Sequence, residues 1–308
     1  MGAGRIEEGA DTWRAPELGG RVALVTGASR GAGRGIATVL GEAGASVYVT
    51  ARSSRATGTT QGRPETIEET AEWVDAAGGE GIAVRCDHTV DADVEALFER
   101  IRRERGRLDI LVANAWGGYE RSIDHAPFWE QSLEHFDTML AAGVRSHFAT
   151  VHGAMSLMLS RGDGLVVLTT APIKEAYFGN VIYDLAKAAT TRMARGMAED
   201  LREHGIAVVA LAPGWMRTER VLEHYGVDET SWSEVGDLTR TESRYYVGRA
   251  VAELAADPRA DRWSGRLVEV GRLAAACGFP DVDGRRVPPF SELFPELYEA
   301  AGEVAEGK

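Results

Sequence analysis

RVALVTGASRGAGRG, residues 21–35, joins a short apolar run to a cluster of glycines. The apolar run is typical of a buried parallel strand and stops at Gly27. From Ile36 onward, apolar residues recur with the spacing of a helix. Strand, glycine turn and helix in this order direct free backbone N–H groups and the positive end of a helix toward a phosphate. The stretch therefore predicts a phosphate-binding turn in preference to a merely flexible one. Its candidate residues are Gly27, Ser29, Arg30, Gly31 and Gly33.

The rest of the chain repeats this alternation of apolar strands and amphipathic helices. Further strands are predicted at residues 45–51, 81–86, 108–112, 165–169, 206–211 and 265–270. The pattern predicts an α/β fold: a doubly wound, Rossmann-type parallel sheet of about seven strands, with helices on both faces in three α/β/α layers. The sequence contains no internal repeat or second glycine fingerprint, so we expect a single domain over residues 21–271. Residues 1–20 are then an N-terminal tail and residues 272–308 a C-terminal extension.

The end of the second predicted strand bears on the choice of dinucleotide. A carboxylate there would bind the ribose hydroxyls and repel a 2′-phosphate, but the chain has Ala51 and Arg52. Arg30 in the glycine turn adds a second cation, and guanidinium groups bind phosphate strongly. We therefore expect NADP(H) as the preferred cofactor and NAD(H) as the alternative, unless the arginines are merely solvated on a loop. The third predicted strand ends at Asp87, whose carboxylate is placed to meet an adenine amino group.

Tyr183 and Lys187 lie four residues apart, which places them on one face of a helix. A cation beside a phenol favours the phenolate and makes tyrosine a usable proton donor and acceptor near neutral pH. Thr170 stands at the end of a predicted strand, where its hydroxyl can face the phenol across a carbonyl. The spacing alone is a weak signal. Together with a phosphate-binding turn, it indicates a catalytic set of Thr170, Tyr183 and Lys187.

Composition and charge exclude several other classes of protein. The net charge of −13 disfavours nucleic acid or an anionic membrane as the main partner, because both need a basic face. The two cysteines, Cys86 and Cys277, indicate neither a disulfide framework nor a metal site, and the seven histidines show no ligand spacing. No apolar run reaches the ~20 residues that span a bilayer, and no signal peptide is recognised. We expect a cytoplasmic protein that binds no metal, nucleic acid or membrane.

Together these motifs resemble the short-chain dehydrogenase/reductase family over residues 21–270. The match covers the glycine turn, Asp87 and the Thr170, Tyr183 and Lys187 set. The resemblance implies that Tyr183 and Lys187 also contact the cofactor. It adds further cofactor-binding residues, namely Asn114, Pro213, Gly214, Met216 and Thr218. Four stretches resemble more narrowly the dehydrogenase/reductase member 1 branch of the family. They are Trp116-Gly117-Gly118, Phe128-Trp129-Glu130, Gly143-Val144-Arg145 and Asp281-Val282-Asp283-Gly284-Arg285.

Three departures from the family pattern surround the catalytic set. Ala113 and Trp116 replace the first Asn and the Gly of the family's Asn-Asn-Ala-Gly segment. Thr170 replaces a serine, which keeps the hydroxyl but restricts its rotamers. Gly143 replaces the asparagine of the family's proton relay, within one long, interrupted helix predicted over residues 128–159. We expect Gly143 to permit the helix break on which that relay depends.

The resemblance implies an NADP(H)-dependent oxidoreductase that interconverts a carbonyl and an alcohol by hydride transfer. Tyr183 is expected to donate the proton, Thr170 to hydrogen-bond the carbonyl oxygen, and Lys187 to hold the nicotinamide ribose. The expected substrate is a small molecule, a bulky and largely apolar ketone or aldehyde. Its candidate contacts are Trp116, Tyr119, Phe178 and Trp215.

Two other functions remain open at this stage. The altered Asn segment and Gly143 are compatible with a non-catalytic dinucleotide-binding sensor, although a sensor has no need of an acid/base set. A nucleotide-sugar dehydratase or epimerase would normally carry a larger C-terminal substrate domain, which 308 residues barely allow. The family usually forms dimers or tetramers through its long helices, so we expect a homo-oligomer.

Overall fold

The strands of the chain form one large parallel sheet and one short pair. The computed structural model describes residues 13–118, 125–173 and 176–298. The strands are β1 (Val22–Thr26), β2 (Ser46–Ala51), β3 (Glu80–Arg85), β4 (Ile110–Ala113), β5 (Gly164–Thr169), β6 (Ile206–Ala212), β7 (Met216–Arg217), β8 (Glu242–Ser243) and β9 (Leu267–Glu269). Seven of them pair in the order β3-β2-β1-β4-β5-β6-β9, and every pairing is parallel. The predicted Rossmann-type sheet is therefore confirmed.

Helices follow most of these strands and pack on both faces of the sheet. They are α1 (Gly31–Glu42), α2 (Ile67–Ala76), α3 (Asp91–Arg105), α4 (Leu133–Leu140), α5 (Ser146–Met158), α6 (Val181–Leu201), α7 (Glu219–Tyr225), α8 (Arg244–Ala256), α9 (Val270–Cys277) and α10 (Phe290–Leu293). Within the described ranges, no helix is both long enough and apolar enough to cross a lipid bilayer.

Each face of the sheet has its own apolar core, because successive residues of a strand point to opposite faces. In β1, Ala23 and Val25 join the core beneath α1 and α8. Val22 and Leu24 join the opposite core, beneath α3, α5 and α6. All five residues of β1 are buried. Burial on both faces explains why the strands read in the sequence as continuous apolar runs.

A cleft opens where the order of the strands reverses. The chain runs outward from β1 through β2 and β3, and then returns to place β4 on the other side of β1. The loops after β1 and β4 therefore diverge at the carboxyl edge of the sheet, which is where open α/β sheets bind their ligands. The glycine turn follows β1, and Asn114 follows β4.

The structure divides residues 128–159, predicted as one interrupted helix, into a 3₁₀ turn, two α-helices and a π-helical turn between them. Phe128–Glu130 forms a separate 3₁₀ turn, and α4 begins only at Leu133 because the backbone of Ser132 is extended. Between α4 and α5, Ala141–Arg145 forms a π-helical turn with Gly143 at its middle. The predicted interruption at Gly143 is thus a local widening of one continuous helical path.

Residues 213–240 contain more secondary structure than their polar composition indicates. The two-residue strand β7 pairs with β8, which is too short a pairing to leave a periodic pattern. Thr218 caps α7 by accepting a hydrogen bond from the Val221 N–H. Beyond β9, Phe279 and Val287 belong to the same core as the sheet. The boundaries at residues 20 and 271 stay predictions.

Candidate active site

A cavity of about 1180 Å³ lies at the carboxyl edge of the sheet. Of the predicted site residues, those that line it are Gly27, Ser29, Arg30, Gly31, Arg52, Asp87, Asn114, Trp116, Thr170, Phe178, Tyr183, Lys187, Pro213, Gly214, Trp215, Met216 and Thr218. Gly33 lies behind the lining, and Tyr119 is outside the described residues. The residues Gly27, Ser29, Arg30, Gly31 and Arg52 form what we term the glycine-loop end. The residues Trp116, Thr170, Tyr183 and Lys187 form the tyrosine end.

The glycine turn needs its glycines for conformation and for space. Gly27 and Gly31 have φ values of 63° and 56°, in the left-handed region that side chains disfavour. A Cβ on Gly33 would lie 2.5 Å from the Gly27 carbonyl oxygen and 2.7 Å from Asn114 Nδ2. The Gly31 N–H, at the first turn of α1, already donates to a carboxylate oxygen of Glu219 at 2.9 Å. An anionic group is therefore accommodated where a dinucleotide phosphate would bind.

Asn114 holds the turn to the neighbouring strand. Its Nδ2 donates to the Thr26 carbonyl at 2.9 Å, and its backbone N–H donates to Thr26 Oγ1 at 2.8 Å. The Ala115 N–H donates to the same hydroxyl at 2.9 Å. Asn114 thus lines the cavity and also joins the loops after β1 and β4.

The cations predicted for a 2′-phosphate lie together at the glycine-loop end. Arg30 donates to Thr60 Oγ1 at 3.2 Å, while its buried Nη1 has no hydrogen-bond partner among the described residues. Burial lowers the pKa of Arg30, so an anion would relieve an unfavourable environment. Arg63 also lines the cavity, and its ion pair with Glu65 is 2.6 Å long. Arg63 was missed because it lies in an insertion without a recognisable motif.

Asp87 lines the cavity close to this end. Its carboxylate accepts hydrogen bonds from the Thr89 N–H at 3.0 Å and the Thr89 hydroxyl at 2.7 Å. Burial alone would raise the pKa of Asp87, but these hydrogen bonds bring it below its ordinary value. Asp87 is therefore an ionised acceptor beside the cavity, which suits the predicted contact with an adenine amino group.

Helix α6 brings Tyr183 and Lys187 to the tyrosine end. Asn180 begins the helix by accepting a hydrogen bond from the Tyr183 N–H at 2.9 Å. Lys187 is only 9% exposed, and burial lowers its pKa to about 8. The Lys187 Nζ lies 5.6 Å from the centroid of the Tyr183 ring. A buried cation thus accompanies the phenol.

Thr170 is at the predicted place, but its hydroxyl is engaged elsewhere. Its Oγ1 donates to the Lys187 carbonyl at 3.0 Å and lies 3.4 Å from Thr191 Oγ1. Both partners belong to α6. In this arrangement the hydroxyl fastens β5 to α6, so hydrogen bonding to a substrate requires it to exchange a partner.

Trp116 and Gly143 meet at the tyrosine end, although they are distant in the sequence. A Cβ on Gly143 would lie 2.6 Å from Cε3 of the indole. On the other side, Lys187 Nζ lies 3.9 Å from the indole ring centroid, and the Tyr183 ring meets the indole edge-on at 5.7 Å. Trp116 and Gly143, two of the three departures from the family pattern, are therefore in direct contact.

Aromatic rings from the C-terminal part of the chain complete the wall beside Tyr183. Phe178 lies 6.2 Å from Tyr183 and 5.7 Å from Phe290, measured between ring centroids. Phe290 packs on Phe294 at 4.5 Å, and Trp215 lies 6.3 Å from Phe294. Phe290 lines the cavity but was missed. The helical spacing of Phe290 and Phe294 was the signal that could have drawn attention to this segment.

Buried charges beneath the Pro213-Gly214 turn were also missed. The Gly214 N–H donates to the carboxyl of Glu242, and burial raises the pKa of Glu242 to about 8. Arg217, 2% exposed, donates to Asp283 at 2.9 Å. Asp281, fully buried, accepts from the Ser243 N–H at 2.7 Å. The 281–285 loop thus holds β7 and β8 from below.

The residues present fit a dinucleotide with an acid/base group at one end. Glycines, a helix N-terminus and an arginine N–H without a partner in the described chain have the chemistry that suits the phosphates of a dinucleotide. A phenol with a buried ammonium at the other end has the chemistry that suits proton transfer. Among the described residues, no group of His, Cys, Asp and Glu is arranged to hold a metal ion.

Known proteins provide an independent comparison. A family model described as short chain dehydrogenase matches residues 21–225. Dehydrogenase/reductase SDR family member 1 of Homo sapiens is 36% identical over 297 residues, with 94% of this chain and 91% of the relative covered. Hydroxynaphthalene reductase arp2 of Aspergillus fumigatus is 30% identical over 202 residues, covering 66% of this chain and 68% of the relative.

A solved structure adds a likeness in three dimensions. A 7α-hydroxysteroid dehydrogenase complexed with NADH and 7-oxo glycochenodeoxycholic acid superposes with a TM-score of 0.68. The sequence identity is 27%, and the match covers 82% of this chain and 93% of that one. The sheet, the site geometry and the similarity over nearly the whole chain agree. The chain therefore belongs to the short chain dehydrogenase family of oxidoreductases.

Proposed function

We propose that this protein is an NADP(H)-dependent reductase or dehydrogenase that interconverts a carbonyl and an alcohol. The observation that carries the proposal is the pairing of Tyr183 with the buried ammonium of Lys187, at the end of the cavity opposite Arg30 and Arg52. Bound NADP(H) supplies or accepts a hydride at its nicotinamide ring. The protein's own groups bind the substrate and move the proton.

Tyr183 is the proposed proton donor in the direction of reduction. Its phenol gives a proton to the carbonyl oxygen, and in oxidation it takes the proton back from the alcohol. The positive charge of Lys187 favours the phenolate that remains after the proton has left. Thr170 is proposed to exchange its bond to the Lys187 carbonyl for one to the substrate oxygen, where it stabilises developing negative charge.

The proposed substrate is a bulky, largely apolar ketone or aldehyde. Phe178, Trp215 and Phe290 line the cavity close to Tyr183, and aromatic walls suit a large apolar body with one polar atom. Two similar proteins support the same class of substrate, since one is named a hydroxynaphthalene reductase and the other a hydroxysteroid dehydrogenase.

The preference for NADP(H) rests on charge at the glycine-loop end. Arg52 directly follows Ala51, the last residue of β2. The guanidinium of Arg30 has a buried N–H without a partner among the described residues. A 2′-phosphate would accept hydrogen bonds from both guanidinium groups. The hydroxysteroid dehydrogenase bound NADH, so the two cofactors must be compared directly.

Homo-oligomerisation is the proposed state of assembly. Phe148 on α5 is 55% exposed, and Val181 and Leu185 on α6 are each 43% exposed. Large apolar side chains on two neighbouring helices support burial against a second copy. Sedimentation or light scattering measures this directly. A cytoplasmic location stays a prediction.

Replacing Tyr183 by phenylalanine tests the reaction. The ring is kept and the exchangeable proton is removed, so we expect carbonyl reduction to fall by about 10³-fold or more. Binding of NADPH, followed by fluorescence, is expected to stay within about threefold of wild type. The wild type is assayed on a panel of ketones and aldehydes with NADPH and NADH side by side.

Three outcomes would contradict the proposal. Undiminished turnover in Tyr183→Phe would remove the phenol from the mechanism. Tight NADPH binding by the wild type, without turnover of any panel member, would instead favour the dinucleotide-binding sensor. A product formed without net consumption of NADPH would indicate a dehydratase or epimerase.

A further inference from the structure

Trp116 occupies a space that two glycines leave open. A Cβ on Gly143 would lie 2.6 Å from indole Cε3, and a Cβ on Gly118 would lie 2.5 Å from indole Cε2. Real Cβ atoms do not approach aromatic carbons so closely, so neither glycine can carry a side chain while the indole keeps its position. The three residues form a matched set of one large and two minimal side chains.

The face of the indole is directed at the ammonium of Lys187. Nζ lies 3.9 Å from the ring centroid, well inside the distance over which a cation is attracted to an aromatic face. The Tyr183 ring is farther away, with its centroid 5.6 Å from Nζ. Tryptophan has the strongest such attraction of the aromatic side chains.

The surroundings of Lys187 make this contact important. Burial alone accounts for the shift of its pKa to about 8, and no described carboxylate offsets the burial. His147 faces it from α5, but burial lowers the pKa of His147 to about 3, so this imidazole is neutral and adds no charge. Tyr183 is the titratable neighbour on its own helix. The indole face, 3.9 Å from Nζ, is therefore a neighbour that favours the charged ammonium.

We propose that Trp116 is a positioning residue that holds the Lys187 ammonium, in its charged form, beside Tyr183. Gly143 and Gly118 are required because they admit the indole. The inference rests on the proposed function insofar as turnover depends on Lys187. The indole, which comes from the loop after β4, occupies the space that a side chain at position 143 would need.

The matched substitutions Trp116→Phe and Trp116→Leu test the role of the aromatic face. Both remove much of the indole volume, but only phenylalanine keeps an aromatic face. The chain contains three lysines, Lys174, Lys187 and Lys308, so a ¹³C-lysine NMR titration resolves Lys187 after assignment with Lys187→Arg. This measurement requires no turnover and therefore remains valid if the proposed reaction is wrong.

In the wild type we expect the Lys187 signal to titrate with a midpoint below the ordinary lysine value, because burial lowers the pKa and the indole offsets only part of that effect. In Trp116→Leu the midpoint is expected about one pH unit lower, and in Trp116→Phe between the two. The alkaline limit of reductase activity should shift in the same order. Equal midpoints for the two variants, or a higher midpoint in Trp116→Leu, would overturn the proposal.

A second experiment tests the fit between Trp116 and Gly143. Gly143→Asn is expected to lower turnover by about tenfold or more, because the new side chain displaces the indole. Combining it with Trp116→Gly should make the asparagine far less harmful than it is beside the indole. Gly196→Ala, on α6 with nothing within 4 Å of the new Cβ, is the matched control and should leave turnover unchanged. A Gly143→Asn variant as active as wild type would refute the fit.

Discussion

The two ends of the cavity are built in different ways. The glycine-loop end depends on backbone: Gly27 and Gly31 take left-handed conformations, and the Gly31 N–H at the start of α1 donates to the Glu219 carboxylate. The tyrosine end depends on side chains from separate segments, since Trp116 and Lys187 meet over Gly143. The first arrangement is contained in one continuous stretch of sequence. The second exists only after the fold has brought three segments together.

The largest effect is expected from breaking the backbone-built end. In Gly33→Ala the new methyl group would meet the Gly27 carbonyl and Asn114 Nδ2, so the turn must open. We expect NADPH to bind about 100-fold more weakly, as measured by fluorescence titration. Gly196→Ala again serves as the control for adding a methyl group. Unchanged affinity in Gly33→Ala would show that the turn adapts to a side chain, and that the glycine-loop end does not depend on its backbone in this way.

A smaller effect is expected at the same end from changing charge without touching the backbone. Arg30→Met removes the guanidinium whose Nη1 lacks a partner among the described residues. The ratio of kcat/KM for NADPH over NADH should fall about tenfold. Arg55→Met is the control, because Arg55 is exposed and paired with Glu72. A cofactor ratio that stays the same in Arg30→Met would reject a 2′-phosphate contact.

The smallest effect is expected on the pH dependence of stability, and it concerns the buried side chain of Glu242 beneath the Pro213-Gly214 turn. Glu242 has an ordinary carboxyl pKa of 4.5, which burial raises to about 8 in the folded protein. Folding therefore favours its protonated form, and its contribution to the free energy of unfolding is lost as the pH rises from about 4.5 to 8. Glu242→Gln should remove this decline and raise Tm at pH 8 by about 2–4 °C relative to wild type.

The control for this measurement is Glu95→Gln, because Glu95 is exposed on α3. Its profile of Tm against pH should follow that of the wild type. An unaltered slope in Glu242→Gln would mean that another group beneath the Pro213-Gly214 turn governs the pH dependence of stability.

Most of the sheet could be predicted from the sequence because its strands are buried on both faces. Apolar runs such as Val22–Thr26 and Ile206–Ala212 have no polar alternation to confuse them with other elements. The glycine turn and the spacing of Tyr183 and Lys187 are likewise local patterns. The π-helical turn at Ala141–Arg145 and the pairing of β7 with β8 are not, because they depend on contacts made in the folded chain.

The unusual residues around Lys187 could be identified from the sequence, but their contacts with one another could not be predicted from it. Trp116 and Gly143 are each visible as departures from a family pattern, yet nothing local shows that the indole fills the space above the glycine. Phe290 and the 281–285 loop lie far along the sequence from the residues that they contact, Phe178 and Arg217, and belong to no recognisable motif. Tyr119 lies outside the described residues, so its expected substrate contact stays a prediction.

The 281–285 loop also affects when the site can be completed during synthesis. A growing chain folds its N-terminal parts first. The glycine turn and its partner Asn114 are present once residue 114 has been made, whereas Arg217 and Ser243 find Asp283 and Asp281 only after residue 283 has been made. A nascent chain that stops before residue 281 carries both the phosphate-binding turn and the Tyr183–Lys187 pair. It still lacks the partners that fasten β7 and β8 beneath the cavity.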